Sequence, residues 1–203
     1  SPTWLTDVPS VLTHSTGSLR FDGVGLREWV NVGALGMLGD NQATSLHGVT
    51  VSMWVKPNSL PSSLGAQLYD WTGVGDSSLH DPFTSNNGNV AGPQVKANGS
   101  IAIMGRDDDG TGYQWATDFA PASSITTGNW HHVAVTYIGD RAYVYVDGQV
   151  SDNVAPYTPF TFDTAEFGIG CKRNVINNPQ QHFFDGVMDD VAIWNKALTP
   201  AAV

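Results

Sequence analysis

Residues 129–150 constrain the fold more than any other stretch. They read Asn-Trp-His-His-Val-Ala-Val-Thr-Tyr-Ile, a Gly139-Asp140 turn, Arg-Ala-Tyr-Val-Tyr-Val and then Asp147-Gly148. Apolar and polar residues alternate along both arms, so each arm can bury one face as a β-strand. The short Gly-Asp link makes the pair an antiparallel hairpin, and Asp147-Gly148 predicts a further tight turn. Residues 183–198 carry a second pattern of this kind, Phe-Phe-Asp-Gly-Val-Met-Asp-Asp-Val-Ala-Ile-Trp-Asn-Lys-Ala-Leu. In a third strand Val49, Val51, Met53 and Val55 share one face, and Pro57 ends it.

Shorter strands are predicted over 18–32 (two, split by Asp22-Gly23-Val24-Gly25), 67–72, 100–104, 113–119 and 166–170. Residues 73–99 are rich in Asn, Gly and Ser and read as one long polar loop, and the first residues read as irregular. No helical period outlasts a turn, and no internal repeat is present. Many short strands with frequent turn signals predict an all-β sandwich of two antiparallel sheets.

The 203 residues suit one domain, residues 18–203, with residues 1–17 as an irregular segment packed on it. A chain of this size buries a core without staples, and the lone Cys171 allows no internal disulfide. Cys171 reads as a buried structural thiol. Nine Lys and Arg stand against 19 Asp and Glu, a net charge of −10. That balance argues against nucleic acid and anionic lipid, which need clustered basic side chains. No apolar run is long enough for a transmembrane helix. The ends of the chain read as those of a domain cut from a larger secreted or cell-surface protein.

Several segments resemble one family in their order along the chain. They are Leu19-Arg20-Phe21-Asp22-Gly23, Val51-Ser52-Met53-Trp54-Val55-Lys56-Pro57, Trp130-His131-His132-Val133-Ala134-Val135-Thr136-Tyr137, Val144-Tyr145-Val146-Asp147-Gly148 and Phe184-Asp185-Gly186-Val187-Met188-Asp189-Asp190-Val191. Asn195-Lys196-Ala197-Leu198-Thr199 closes the set. Together they resemble the laminin-G-like and concanavalin-A-like jelly rolls. The resemblance implies a jelly roll, structural calcium in many members, and carbohydrate or protein binding. The family also includes glucanases and lyases, so the fold does not set the activity.

Alternation along the closing strand puts Val187, Asp189, Val191 and Ile193 on one face, the expected core side. A carboxylate there is costly unless it is paired or coordinated. The alternatives for Asp189 are backbone N–H groups, Arg20 or Arg27, or a metal, for which oxygen ligands favour Ca²⁺. In similar jelly rolls a calcium joins the opening strand to the closing one. The matching opening position is Asp22-Gly23, so the expected site is Asp189, Asp22 and the Gly23 region, with Asp190 assisting. Asp107-Asp108-Asp109-Gly110 is a lesser acidic turn that reads as a solvated hairpin tip.

A glycoside hydrolase needs two carboxylates flanking the scissile bond. Glu28 and Glu166 are the only glutamates and lie in separate segments, and the Glu-x-Asp-x-x-Glu strand of laminarinase-like members is missing. No phosphate loop, nucleophile elbow or zinc spacing appears. The sequence therefore reads as a non-catalytic binding module. Sugar binding in β-sandwiches uses flat aromatics together with Asp and Asn. Asp70, Trp71, His80, Asp107, Asp109, Tyr113 and Trp115 supply those types, and the expected partner is a glycan or an extracellular protein. The alternatives are a glycan-processing enzyme of the same fold and a structural spacer in an adhesin.

Overall fold

The structure is a computed structural model that describes residues 1–34, 48–62, 65–70, 90–106, 113–138, 141–151, 155–156, 166–171 and 182–203. In chain order its elements are β1 (Thr3–Leu5), β2 (Ser18–Asp22), one helical turn α1 (Gly23–Leu26), β3 (Val30–Ala34), β4 (Val49–Pro57), β5 (Ala66–Gln67), β6 (Tyr69–Asp70), β7 (Val90–Val95), β8 (Ile101–Arg106), β9 (Tyr113–Ala120), β10 (His131–Ile138), β11 (Arg141–Val146), β12 (Gln149–Val150), β13 (Ala155–Pro156), β14 (Glu166–Ile169) and β15 (Asp185–Trp194). They form two antiparallel sheets. The first runs β1-β2-β15-β4-β10-β11-β12, with β13 also on β11. The second runs β3-β14-β6-β7-β8-β9, with β5 on β7. This is the predicted all-β jelly-roll sandwich.

The core forms where the predicted apolar faces meet. Val51 and Val55 of β4 and Val135 of β10 are fully buried against Phe167 of β14 and Ile101 and Ile103 of β8. One polar contact crosses this core: the hydroxyls of Tyr69 and Tyr137 lie 2.9 Å apart. Burial pushes the Tyr69 pKa well above its ordinary value, so its hydroxyl keeps the proton, and each hydroxyl has its partner. Cys171 is buried, as expected.

Three expectations change. Thr3–Leu5, expected to be irregular, adds β1 to the edge of the first sheet, with Trp4 opposite Leu19. Residues 90–95, expected to lie in a long loop, form β7 between β6 and β8. Gly92 and Pro93 mask its alternation, because the register shifts between Ala91 and Pro93.

The third change reorients Asp189. Met188 lies opposite core-facing Val55, which puts Asp189 opposite Trp54 on the outer face. The register then shifts between Asp189 and Ala192, and Asp190 takes a left-handed φ of 48°. This bulge flips the parity, so Val191 and Ile193 still pack on the core while Asp189 does not join them.

Candidate functional site

Ladder register gathers part of the predicted ligand set on one face. Residues directly opposite each other in a ladder share a face. Across the second sheet one row runs Asn31, Gly168, Asp70, Ala91, Met104, Trp115. Arg106 and Tyr113 are paired two residues further along the same side. Tyr69, Ile101 and Ile103 alternate with these positions and fill the core, so the row belongs to the outer face. Asp70 is fully buried at its centre, with Gly168 and Ala91 as its neighbours in the row. Three of the predicted residues, Asp70, Tyr113 and Trp115, thus take positions in or beside one row of the ladder. Trp71, His80, Asp107 and Asp109 lie outside the described residues.

A buried amide network underlies the next row. Gln67 is fully buried, and its Nε2 donates to the carbonyls of Tyr69 (2.7 Å) and Gly92 (2.5 Å). Gln94 Nε2 donates to Gln67 Oε1 at 2.7 Å. His182 Nδ1 lies 3.1 Å from the Gly65 carbonyl and 3.4 Å from Gln94 Nε2. The Gln67 N–H donates to the His182 carbonyl. The network ties three segments together beside Asp70 and caps the carbonyl freed at the Gly92 bulge. The sequence reading missed Gln67, Gln94 and His182. The available signal was a glutamine inside each of two apolar strands.

Asp22 and Asp189, the expected metal pair, are not neighbours in the ladder. Asp22 lies opposite Asp185, whereas Asp189 is four residues further along β15, about 13 Å away at strand rise. The Asp189 carboxylate is held by protein donors instead: the Ser15 hydroxyl at 2.6 Å and the Asp190 N–H at 2.8 Å. Asp190 is exposed at the bulge, one residue beyond Asp189. Among the described residues no three His, Cys, Asp or Glu side chains converge on one point. Asp22 and Asp185 do face each other. Asp22 also pairs with Arg20 at 3.1 Å, and Asp185 accepts from Asn58 and Ser59. A Cβ on Gly23 would lie 2.9 Å from that of Asp185, so only glycine lets the two segments approach this closely.

The Trp-His-His strand has a triad-like contact set with a structural role. His131 Nδ1 lies 2.8 Å from Asp147 Oδ2, and its Nε2 lies 2.9 Å from Thr126 Oγ1. Nε2 also accepts the Thr126 backbone N–H at 3.1 Å. That amide occupies the lone pair a general base would use. The set therefore clips the 121–130 segment to the Asp147 turn. Of the two glutamates, Glu28 is buried and accepts the Asp22 N–H at 3.0 Å.

Residues 33–203 match the family described as the concanavalin A-like lectin/glucanases superfamily, laminin G type. Comparison with curated proteins returns no match. Solved structures share the fold at low identity. Domain 4 of AbnA, an extracellular arabinanase of Geobacillus stearothermophilus in complex with arabinotriose, is 18% identical over 100% of this chain and 79% of its own, with a TM-score of 0.56. The heptameric SAP-like pentraxin of Limulus polyphemus is 16% identical over 90% of this chain and 77% of its own, with a TM-score of 0.57. Domains LG4-5 of the mouse laminin α1 chain are 16% identical over 97% of this chain and 47% of theirs, with a TM-score of 0.59. With two antiparallel sheets and a family match over residues 33–203, most of its length, the chain belongs to the concanavalin A-like lectin/glucanase superfamily.

Proposed function

We propose that this chain is a non-catalytic, extracellular binding module of a larger protein, and that it holds a glycan on the outer face of its second sheet. One observation carries the reading: Asp70 sits between Gly168 and Ala91 in the same row as Trp115, with Tyr113 on the same face. A buried carboxylate in the row and aromatic residues at its end are the residue types that suit a pyranose or furanose face. The arabinotriose held by domain 4 of the extracellular arabinanase supports the same class of ligand and the same compartment. One of the two glutamates, Glu28, caps a backbone amide, which leaves it unavailable as half of a catalytic carboxylate pair. No helix among the described residues is long and apolar enough to cross a membrane.

The test is affinity electrophoresis in arabinan, xylan and β-glucan gels. At least one polymer is expected to retard the protein, and Trp115→Ala is expected to weaken retardation about tenfold, the worth of one aromatic platform. Migration unaffected by every polymer would favour a spacer or a protein-binding module.

Calcium belongs to the same proposal, at a different pair from Asp22 and Asp189. Two carboxylates directly opposite in a ladder repel each other, and Arg20 offsets only Asp22. Asp22, Asp185 and the amide oxygen of Asn58 offer the all-oxygen donor set that Ca²⁺ prefers. EDTA is expected to lower Tm by several degrees, and Ca²⁺ to restore it better than Mg²⁺. A Tm indifferent to both removes calcium from the reading.

A further inference from the structure

The hydrogen bonds around His131 fix which ring nitrogen carries the proton. A backbone N–H can only donate, and that of Thr126 points at His131 Nε2 at 3.1 Å. Nε2 is therefore bare, and the one ring proton sits on Nδ1, facing Asp147 Oδ2 at 2.8 Å. The other Asp147 oxygen accepts the His132 N–H at 2.8 Å. The Thr126 hydroxyl lies 2.9 Å from Nε2 and accepts the Asn129 amide at 3.0 Å. The His131 side chain is only 12% exposed, so it meets these partners more than water.

This ring sits where the chain changes sheets. Residues 121–130 leave β9 of the second sheet, and His131 opens β10 of the first. The first half of the crossing is anchored on the turn before β8. Ser123 N–H donates to the Asn98 carbonyl, Ile125 N–H donates to that of Gly99, and Ile125 is fully buried. The second half has fewer ties. Thr126 rests on His131, and Gly128 N–H donates to the Pro57 carbonyl.

A second proton on the ring can only go to Nε2. It would put an N–H where the Thr126 N–H already points, and two donors cannot share a hydrogen bond. The Thr126 hydroxyl can turn to accept from Nε2–H, but the Thr126 amide is left without its acceptor and must move to find water. Asp147 favours the imidazolium, so the ring stays and the turn moves. The other charged groups near the ring are already engaged. On β4, Val55 lies opposite His131, and its neighbour Lys56 is tied to Asp7. Beyond Pro57, Asp185 accepts from Asn58 and Ser59. Residues 121–130 carry no charged side chain.

We propose that His131 is an acid-released clip: it docks the Thr126–Asn129 turn in neutral solution and lets it go on protonation, which loosens the crossing between the sheets while the sandwich stays folded. The clip is independent of what the module binds.

The experiment is ¹H–¹⁵N NMR of the chain between about pH 7.5 and pH 5, where histidines change charge. At the upper pH the ring spectrum is expected to show Nε2 unprotonated. On acidification the Thr126 amide resonance moves together with the His131 ring. Its hydrogen exchange, corrected for the intrinsic effect of pH, rises at least about tenfold, while the core amides of Val135 and Ile103 keep their protection. His131→Gln cannot titrate and is expected to abolish this pH dependence. Thr126→Val keeps the amide and removes the hydroxyl that receives Nε2–H, so release is expected at lower pH. This variant leaves residue 131 in place and so tests the clip even if His131→Gln does not fold. Four outcomes overturn the clip: a protonated Nε2 at the upper pH, Thr126 exchange indifferent to pH, the same acid release in His131→Gln, or release at an unchanged pH in Thr126→Val.

Discussion

Phe21→Ala is expected to destabilise the protein by about 3–5 kcal/mol, a fall in Tm on the order of 10 °C for a domain of this size. Phe21 is fully buried on β2, and its ring meets Phe184 edge-on at 6.4 Å between centroids. Phe184 directly precedes β15, so the pair joins the opening strand to the closing one. The second sheet enters through Gly170, which has a left-handed φ of 83°, and a Cβ there would lie 2.6 Å from the Phe21 ring. Gly170→Ala alone therefore carries two costs, the left-handed backbone and the clash with Phe21. With Phe21→Ala in place the clash disappears and the backbone cost stays. The double variant is expected to be more stable than the sum of the singles predicts, by about 1 kcal/mol or more. Urea unfolding of the four proteins measures this. Strict additivity would show that residue 170 and the ring do not touch.

Gln67→Leu is expected to cost about 3 kcal/mol, although the leucine is close in size and more apolar. The glutamine amide serves the Tyr69 and Gly92 carbonyls and receives the Gln94 amide, all in buried surroundings. Leucine leaves each of these groups without that bond, and orphaned buried polar groups dominate such a change. Gln67→Glu is expected to be worse at pH 7, because it points a carboxylate at two carbonyl oxygens. A lower urea midpoint with unchanged slope is the signature of lost stability. Gln67 and Gln94 share the outer face with Asp70, so Gln67→Leu is also expected to weaken retention in polysaccharide gels at temperatures where the protein stays folded. Full stability in Gln67→Leu would mean that the network contributes nothing.

Much of the architecture was legible from local patterns. Val49, Val51, Met53 and Val55 alternate without interruption, and all four face the core. The 131–146 hairpin follows from alternation on both sides of Gly139-Asp140. β7 was hidden because Gly92 and Pro93 sit where its register slips, and a strand with a bulge has no constant period. The same physics moved Asp189. Alternation assigns a face only while every residue advances the pleat by one, and the Asp189–Asp190 bulge adds an extra step.

The amino-acid sequence by itself determined the all-β class, the family and the absence of an internal disulfide, because these depend on residue types and near-neighbour order. Tertiary structure decided which side chains meet. It set Asp185 opposite Asp22, gave Asp189 to Ser15, aligned Asp70 with Trp115 across strands far apart in the chain, and held the C-terminal segment on Thr50. Each outcome rests on long-range ladder register, which depends on how whole strands pack and where they bulge.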